Sequence, residues 1–539
     1  MTIDYNDPVS IWRAYQKGLD QHNKQSLEEN TEMAYRFYEG DQWRGLESGG
    51  EKLPCFNIIR PTVNYRSSMV SMNQMGIVYN PIEEDVEPIC AELNDMAASQ
   101  WERGKMDKVS WDAIKAACIA GDSYIYFEGS GAKANIIDTL DIFFADEQNP
   151  DIQGQKYIII RERRFVDEVK KDADENGVKD IDMILADQDE RQEKRTEVDP
   201  NAKCTCLVVF YKKDGVVHFL RSTRNVIYQP DTAILAQDEE GTEISKLTLY
   251  PIVSMIWIRK KDSTRGVGEC KSMIPNQIEI NRNLVRRIAA VKMTSFGKAV
   301  YSEQYIQNAE DLDKAGAAIV VRDGAAGSVK DYITYLNPIS MSPDAHQLAD
   351  ELVTRTRDLA GAGDAAVGDV DPTKASGAAI IAVRDQAAVP LNEQTAAYQQ
   401  MVEDIALVWL DIWAAYSTGG IQIEAQQGTY TVTPEQLREL PMMVKVDVTP
   451  VDPYSKFAVE QALEHALEGK FISFDEYVEA LPEGSAAPKS KLQAILDARE
   501  QEATAEETLQ QAMGLIQQLQ AENQILKGGV MGGVSQMPS

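Results

Sequence analysis

Histidine is nearly missing from this chain: there are four in 539 residues. Cysteine is scarce too, six in all, too few at this length for a disulfide framework. Cys204 and Cys206 lie in one strand-like run, where a period of two puts both thiols on one face. Buried, reduced thiols are expected there. A zinc site would need two further ligands, and His218 is the closest histidine. No run reaches the ~18 apolar residues of a membrane helix, so no membrane contact is expected. The opening Met-Thr-Ile-Asp-Tyr-Asn-Asp-Pro has neither the basic nor the apolar region of a secretory signal, so synthesis and folding in the cytoplasm are expected. Positive charge is also short. Fifty-four Lys and Arg face 85 Asp and Glu, a net charge of −31. Gripping a phosphate backbone needs clustered cations, so the balance argues against a nucleic-acid clamp; ordinary solubility accounts for it equally well.

What is present suggests several structural units of an α+β, helix-rich protein. Residues 1–50 read as helix, with Trp12, Tyr15, Leu19, Met33 and Phe37 at helical spacing and a stop at Gly40. Pro61 suits the first turn of a second helix, which carries Met69, Val70, Met72 and Met75 to a break at Tyr79-Asn80-Pro81. A third spans about 84–120. Strands are expected at 123–128, 134–137 and 157–160, and a charged helix–turn–helix at 166–198. Within it, Asp172 to Asp180 imitates the start of a calcium loop, but the twelfth position falls on Met183, so a solvated turn fits better. Asp214-Gly215 marks a hairpin within 204–229, and another strand region lies at 247–258.

The stretch from Gly266 to Ser417 organises the rest. A helix from near Cys270 carries Ile274, Ile278, Leu284, Val285, Ile288 and Val291 at helical spacing. An excursion at 299–340 holds one strand, 317–321. A return helix runs from Ser342-Pro343 to Leu359, followed by a Gly/Asp-rich loop. A long helix from Pro372 to about Tyr416 should bend at Pro390, with Val402, Ile405, Val408, Trp409, Ile412 and Trp413 as its apolar face. Ile421/Ile423, Tyr430/Val432 and Val444/Val446/Val448 alternate as an antiparallel set. Ser473-Phe-Asp-Glu476 opens a later helix as a capping box, and an Ala/Gln/Glu/Leu-rich helix is expected over 491–527.

This order resembles the portal (head-to-tail connector) proteins of tailed bacteriophages, the P22-like podovirus type above all. The residues that carry the resemblance are Phe37-Tyr38-Glu39-Gly40-Asp41-Gln42-Trp43, Asn57-Ile-Ile-Arg60-Pro61-Thr-Val-Asn64, Tyr250-Pro251-Ile252-Val253 and Lys374-Ala-Ser376-Gly377-Ala-Ala-Ile380. The resemblance implies a wing (1–265, completed by the long kinked helix and return strands of 375–451), stem helices (266–298 and 341–360) and a clip (299–340). It further implies a tunnel loop (361–374), a crown (452–527) and a disordered tail (528–539). The family's architecture is a closed ring, here expected to be a dodecamer at one capsid vertex. Double-stranded DNA would pass through it weakly and without sequence preference during packaging and ejection. Implied partners are the terminase large subunit, head-tail adaptor proteins, and capsid and scaffolding protein. The implied setting is the virion, with assembly in the host cytoplasm. No catalytic residue, metal or cofactor is expected. Within the tunnel loop, Gly361, Gly363 and Gly368 would give mobility, and Asp364, Asp369 and Asp371 would repel phosphate ahead of Lys374.

Two local features compete with that reading. Arg259, Lys260, Lys261, Arg265, Lys271, Arg282, Arg286, Arg287, Lys292 and Lys298 outnumber Asp262, Glu269 and Glu279 over 259–298. The cations Lys271, Arg282, Arg286, Arg287 and Lys292 form a basic stem band. It could face DNA or acidic adaptors, or be salt-bridged to acidic neighbours; only Arg282 and Arg286 share a face firmly. The run Arg265-Gly-Val-Gly268-Glu-Cys270-Lys271-Ser272, between a strand and a helix, has the layout of a phosphate-binding loop. Arg265 and Cys270 stand where that loop needs glycine, and a hinge at Gly266 and Gly268 is the plainer reading. An acidic helical scaffold or adaptor protein of the virion remains an alternative identity, and a nucleotide-binding protein a second.

Overall fold

Caps and turns set the element boundaries in this computed structural model. It describes residues 3–44, 53–83, 86–129, 131, 133–187, 202–237, 243–295, 298–336 (except 313, 315, 317 and 323–327), 343–359, 361, 389–416, 421–425, 428–450 and scattered positions between 463 and 478. Asp7 caps α1 (Pro8–Lys24), its carboxylate accepting from Val9 N and Ser10 N. Ser26, in the left-handed region at φ 49°, separates α1 from α2 (Leu27–Glu39), which ends on Gly40 at φ 98°. Next come α3 (Ile59–Ser71), β1 (Asn73–Pro81), α4 (Glu87–Gly104) and α5 (Met106–Ala120). The helices expected over 1–50 and 84–120 are therefore each two, the second split at Lys105 with φ 50°. Met75 lies on a strand, not on a helix continuing from α3.

The chain continues through β2 (Asp122–Glu128), β3 (Lys133–Ile137), β4 (Ile142–Phe144), β5 (Tyr157–Phe165) and α6 (Val166–Glu175). Asp172 is drawn to Arg164 Nη1 at 2.6 Å, and a short 3-10 turn follows at Ile181–Met183; the rest of the expected helix–turn–helix, 188–198, lies outside the described residues. Then follow β6 (Lys203–Lys213), β7 (Val216–Ser222), β8 (Ile227–Thr232), β9 (Ile234–Gln237), β10 (Glu243–Lys246) and β11 (Ile252–Ile256). The β6–β7 hairpin turns on Asp214 and Gly215, both at positive φ, as expected. Strands order as β4-β5-β6-β7-β8 in one antiparallel sheet and β11-β2-β3 in another. Cys204 and Cys206 are buried with their sulfurs 3.9 Å apart, and hydrogen bonding between them together with burial pushes the Cys206 thiol far up. His218 lies on the neighbouring strand but bonds Asp231 instead.

Beyond β11 come α7 (Glu269–Ser295), β12 (Lys298–Tyr301), the short α8 (Val329–Tyr332), β13 (Ile333–Leu336), α9 (Pro343–Leu359) and α10 (Asn392–Tyr416). The excursion's sheet is β12 paired with β13. The strand expected at 317–321 reduces, among described residues, to one bridge between Ile306 and Val321. Pro390 stands in a 3-10 turn, Val389–Leu391, immediately ahead of α10; the part of the long helix expected before it, up to 388, lies outside the described residues. The apolar face foreseen for α10 is buried throughout, from Val402 to Trp413, and it packs on β11. Finally come β14 (Ile421–Ala425), β15 (Gly428–Val432), α11 (Pro434–Glu439) and β16 (Met442–Pro450). The three strands are not one set. β14 and β15 form their own hairpin, and β16 pairs with β1.

Asp411 on α10 fastens this region. It accepts from Thr248 N (2.7 Å), Thr248 Oγ1 (2.9 Å), Leu249 N (2.8 Å) and Arg438 Nε (2.8 Å). Residues 1–449 form one unit and 450–539 a second. In the second, Tyr477 and Val478 pack with Leu463, Leu467 and Ile472, and Tyr477 N donates to Ser473 O, a first helical turn. The helix expected over 491–527 and the tail lie outside the described residues. Among the described residues, no helix is long and apolar enough to cross a membrane.

Candidate functional site: a two-helix arm and its buried root

The arm is α7 and α9 packed antiparallel. Arg287 Nη1 on α7 meets Asp350 Oδ1, midway along α9, at 3.8 Å. At the other end, an added Cβ on Gly361, just past α9, would stand 3.6 Å from the Arg66 guanidinium. Arg66 Nε in turn faces Glu269 at the start of α7, at 3.4 Å. The 27 residues of α7 reach about 40 Å at 1.5 Å each. Its first half is buried (Cys270, Met273, Ile274, Gln277, Ile280), whereas Ile288 and Val291 in the second half are exposed. The arm therefore leaves the body midway along α7, and the β12–β13 sheet lies at its far end.

Polar side chains fix the buried half. Gln277 Oε1 accepts from Ile58 N at 2.9 Å and its Nε2 donates to Phe56 O at 2.8 Å. Asn281 Oδ1 accepts from Phe56 N at 3.2 Å, and its amide donates to Gln42 at 2.5 Å. Gln42 Nε2 reaches Phe37 O, and Asn57 Nδ2 reaches Phe37 O and Tyr38 O. The first two stretches that carried the resemblance, far apart from α7 in sequence, thus meet at the arm's root.

Behind them lies Arg265, fully buried. Its guanidinium donates to Glu147 Oε2 (Nε, 2.9 Å) and Oε1 (Nη2, 3.0 Å), to Ile142 O (2.7 Å), to Thr139 O (2.9 Å) and to Asp122 Oδ2 (3.3 Å). Nη2 also lies 2.9 Å from His22 Nε2. Burial holds the His22 pKa below its usual value of 6.5. For Glu147 burial alone would raise the pKa, but His22 and the Arg265 charge overcome it and bring it to about 2. Both depressed pKa values have one sign of linkage. Below about pH 6.5 the unfolded chain protonates His22 while the folded chain resists; below about 4.5 the same holds for Glu147. Stability should therefore fall as pH drops from 7, first through the His22 range and then between 4.5 and about 2. Denaturant midpoints measured against pH check this: His22→Gln should flatten the upper leg and, by removing one of the groups that hold the Glu147 pKa down, shrink the lower one, and a wild-type midpoint unchanged from pH 7 to 4 would contradict it.

The glycine loop serves packing. A Cβ on Gly266 would lie 2.1 Å from Gly121 O, and one on Gly268 2.2 Å from Ile119 O. Two backbones cross here too closely for any side chain, and Gly266 N points at Asp122 rather than into an open cradle. Of the basic band, Lys271, Arg282 and Arg286 are exposed. Arg282 bonds Glu279 at 2.6 Å, while Arg287 is spent on Asp350. Lys292 lies on α7, its side chain outside the described residues, and Lys271 is about 16 Å along the axis from Arg282. Arg265, counted with the band's cations in sequence, belongs to the interior. Gly361 closes α9 at φ 64°, its amide donating to Asp358 O at 3.0 Å. Gly363, Asp364, Asp369, Asp371 and Lys374 lie outside the described residues. Charge counting missed His22, Asp122 and Glu147, for none stands in a local pattern.

No family model and no curated protein matches this chain. Among solved structures it is similar to a chain from the virion of a native gene transfer agent particle, with TM-score 0.39 and 9% identity over 84% of this chain and 93% of that one. It is also similar to a chain from the neck of an empty gene transfer agent particle, with TM-score 0.33 and 11% identity over 78% and 89%.

Proposed function

We propose that this chain is the subunit of a portal ring at one vertex of a viral capsid, a channel through which double-stranded DNA is packaged and ejected. The observation that carries the reading is the antiparallel arm. Two helices rooted in a helix-and-sheet body hold a small β unit at their tip and lead directly into the Gly/Asp-rich stretch 361–374. Repeated about an axis, α7 and α9 would be the stem, the β12–β13 region the clip, and 361–374 the loops that line the tunnel. The net charge of −31 then has a use, for an acidic wall keeps phosphates from settling over a Debye length of about 8–10 Å. The ring, a dodecamer in this reading, would dock the terminase large subunit and later the head-tail adaptors, with capsid and scaffolding protein around it.

We assign the chain no catalytic step and no cofactor. The glycines of the phosphate-loop-like run are occupied by backbone packing, which favours the structural reading over a nucleotide site. Purified protein should sediment as one particle whose mass is a fixed multiple of 60.0 kDa. A species that stays at one subunit's mass, or ATP turnover abolished by Lys271→Ala, would replace this reading.

A further inference from the structure

Two surface patches of opposite character stand apart on the body. The first surrounds Tyr38. Lys115 Nζ on α5 lies 4.8 Å from the Trp111 ring centre and 5.4 Å from that of Tyr38, and the Arg60 guanidinium lies 5.8 Å from Tyr38 on another approach. Neither cation meets a carboxylate among the described residues. Trp111 is 39% exposed, and Phe56, four residues before Arg60, is 54% exposed. Unpaired cations beside half-open aromatic rings have the composition of an interface centre. The second patch follows α6. Asp180 and Asp182 are exposed, and Met183 and Leu185 beside them are 54% and 50% exposed. That segment rests on the Val166–Tyr228 cluster, the aromatic patch on the main core.

We infer that these patches bind each other between copies of the chain, Asp180 and Asp182 facing Arg60 and Lys115 while Met183 and Leu185 cover Trp111 and Phe56. A cationic patch cannot pair with itself across a two-fold axis. Complementary patches resting on different core clusters suit a head-to-tail contact, the type that repeats until rotation closes it into a ring. Methionine adapts to an aromatic surface, and desolvation at the centre strengthens the flanking charge pairs. Single-stranded nucleic acid also stacks on exposed aromatics, but two cations in a strongly acidic chain make a poor phosphate track. The inference rests on the ring reading above.

The test is charge reversal on the full-length protein, read by sedimentation velocity. Arg60→Glu with Lys115→Glu should weaken assembly at least about tenfold, Asp180→Lys with Asp182→Lys should do the same, and all four together should restore it. Far-ultraviolet circular dichroism checks that each variant is folded, and Trp111→Ala, a surface truncation, is the substitute if a reversal is not. Wild-type rings with unaffected reversals, or a quadruple variant that stays dissociated, would overturn this contact and leave the ring reading standing. A wild type that never assembles would end both. Quenching of tryptophan fluorescence by a thymidine oligonucleotide, lost both in Trp111→Ala and in the Arg60/Lys115 reversal while assembly persists, would assign the patch to nucleic acid instead.

Discussion

Replacing Arg265 by methionine will destabilise the fold by about 3–5 kcal/mol, the range for a buried ion pair that loses one partner. Methionine fills much the same space, so the loss would come from charge. Glu147 and Asp122 are 6% and 1% exposed, and each would keep a buried carboxylate with its principal counter-charge gone. Ile142 O and Thr139 O would lose donors as well. Against a total stability of about 5–15 kcal/mol, this is enough to lower soluble yield. Lysine should not rescue it, since one ammonium cannot reach acceptors spread around a planar fork. Urea midpoints of the purified variants check this, and an unchanged midpoint for Arg265→Met would contradict it.

The second large effect concerns Gly266 and Gly268. Alanine at either should cost more than about 3 kcal/mol, beyond the ordinary overpacking penalty, because the atoms in the way are carbonyl oxygens of Gly121 and Ile119, not yielding side-chain tips. Relief would require α5 and β2 to move away from α7, opening the body at the arm's root. Were these glycines a phosphate cradle, alanine would instead spare stability and remove nucleotide binding. Thermal unfolding of Gly266→Ala and Gly268→Ala separates the two: a fall in midpoint is expected, and a native-like midpoint with lost nucleotide binding would contradict it.

Much of the arm was legible in sequence because its signals are local. Apolar spacing marked α7, and Ser342-Pro343 and Leu359 bracketed α9; in the body, Asp214-Gly215 marked the β6–β7 hairpin in the same local way. What escaped depends on distant partners. The strand holding Met75 is set by pairing with β16, more than 360 residues on, and no window around Met75 contains that information. Ser26 and Lys105 break helices from the left-handed region, which non-glycine residues seldom adopt, so nothing in their type announces it. Arg265 was counted with the surface cations because a charge tally has no depth. Its burial follows from carboxylates at 122 and 147 that become neighbours only after the sheets form.

The central claim, that arms like this one encircle a channel, is tested most directly by negative-stain images of the purified full-length protein. Annular particles of one size with a stain-filled hole, their side views tapering to a narrow stalk, are the expected result. Compact single subunits or open filaments at every concentration would contradict it.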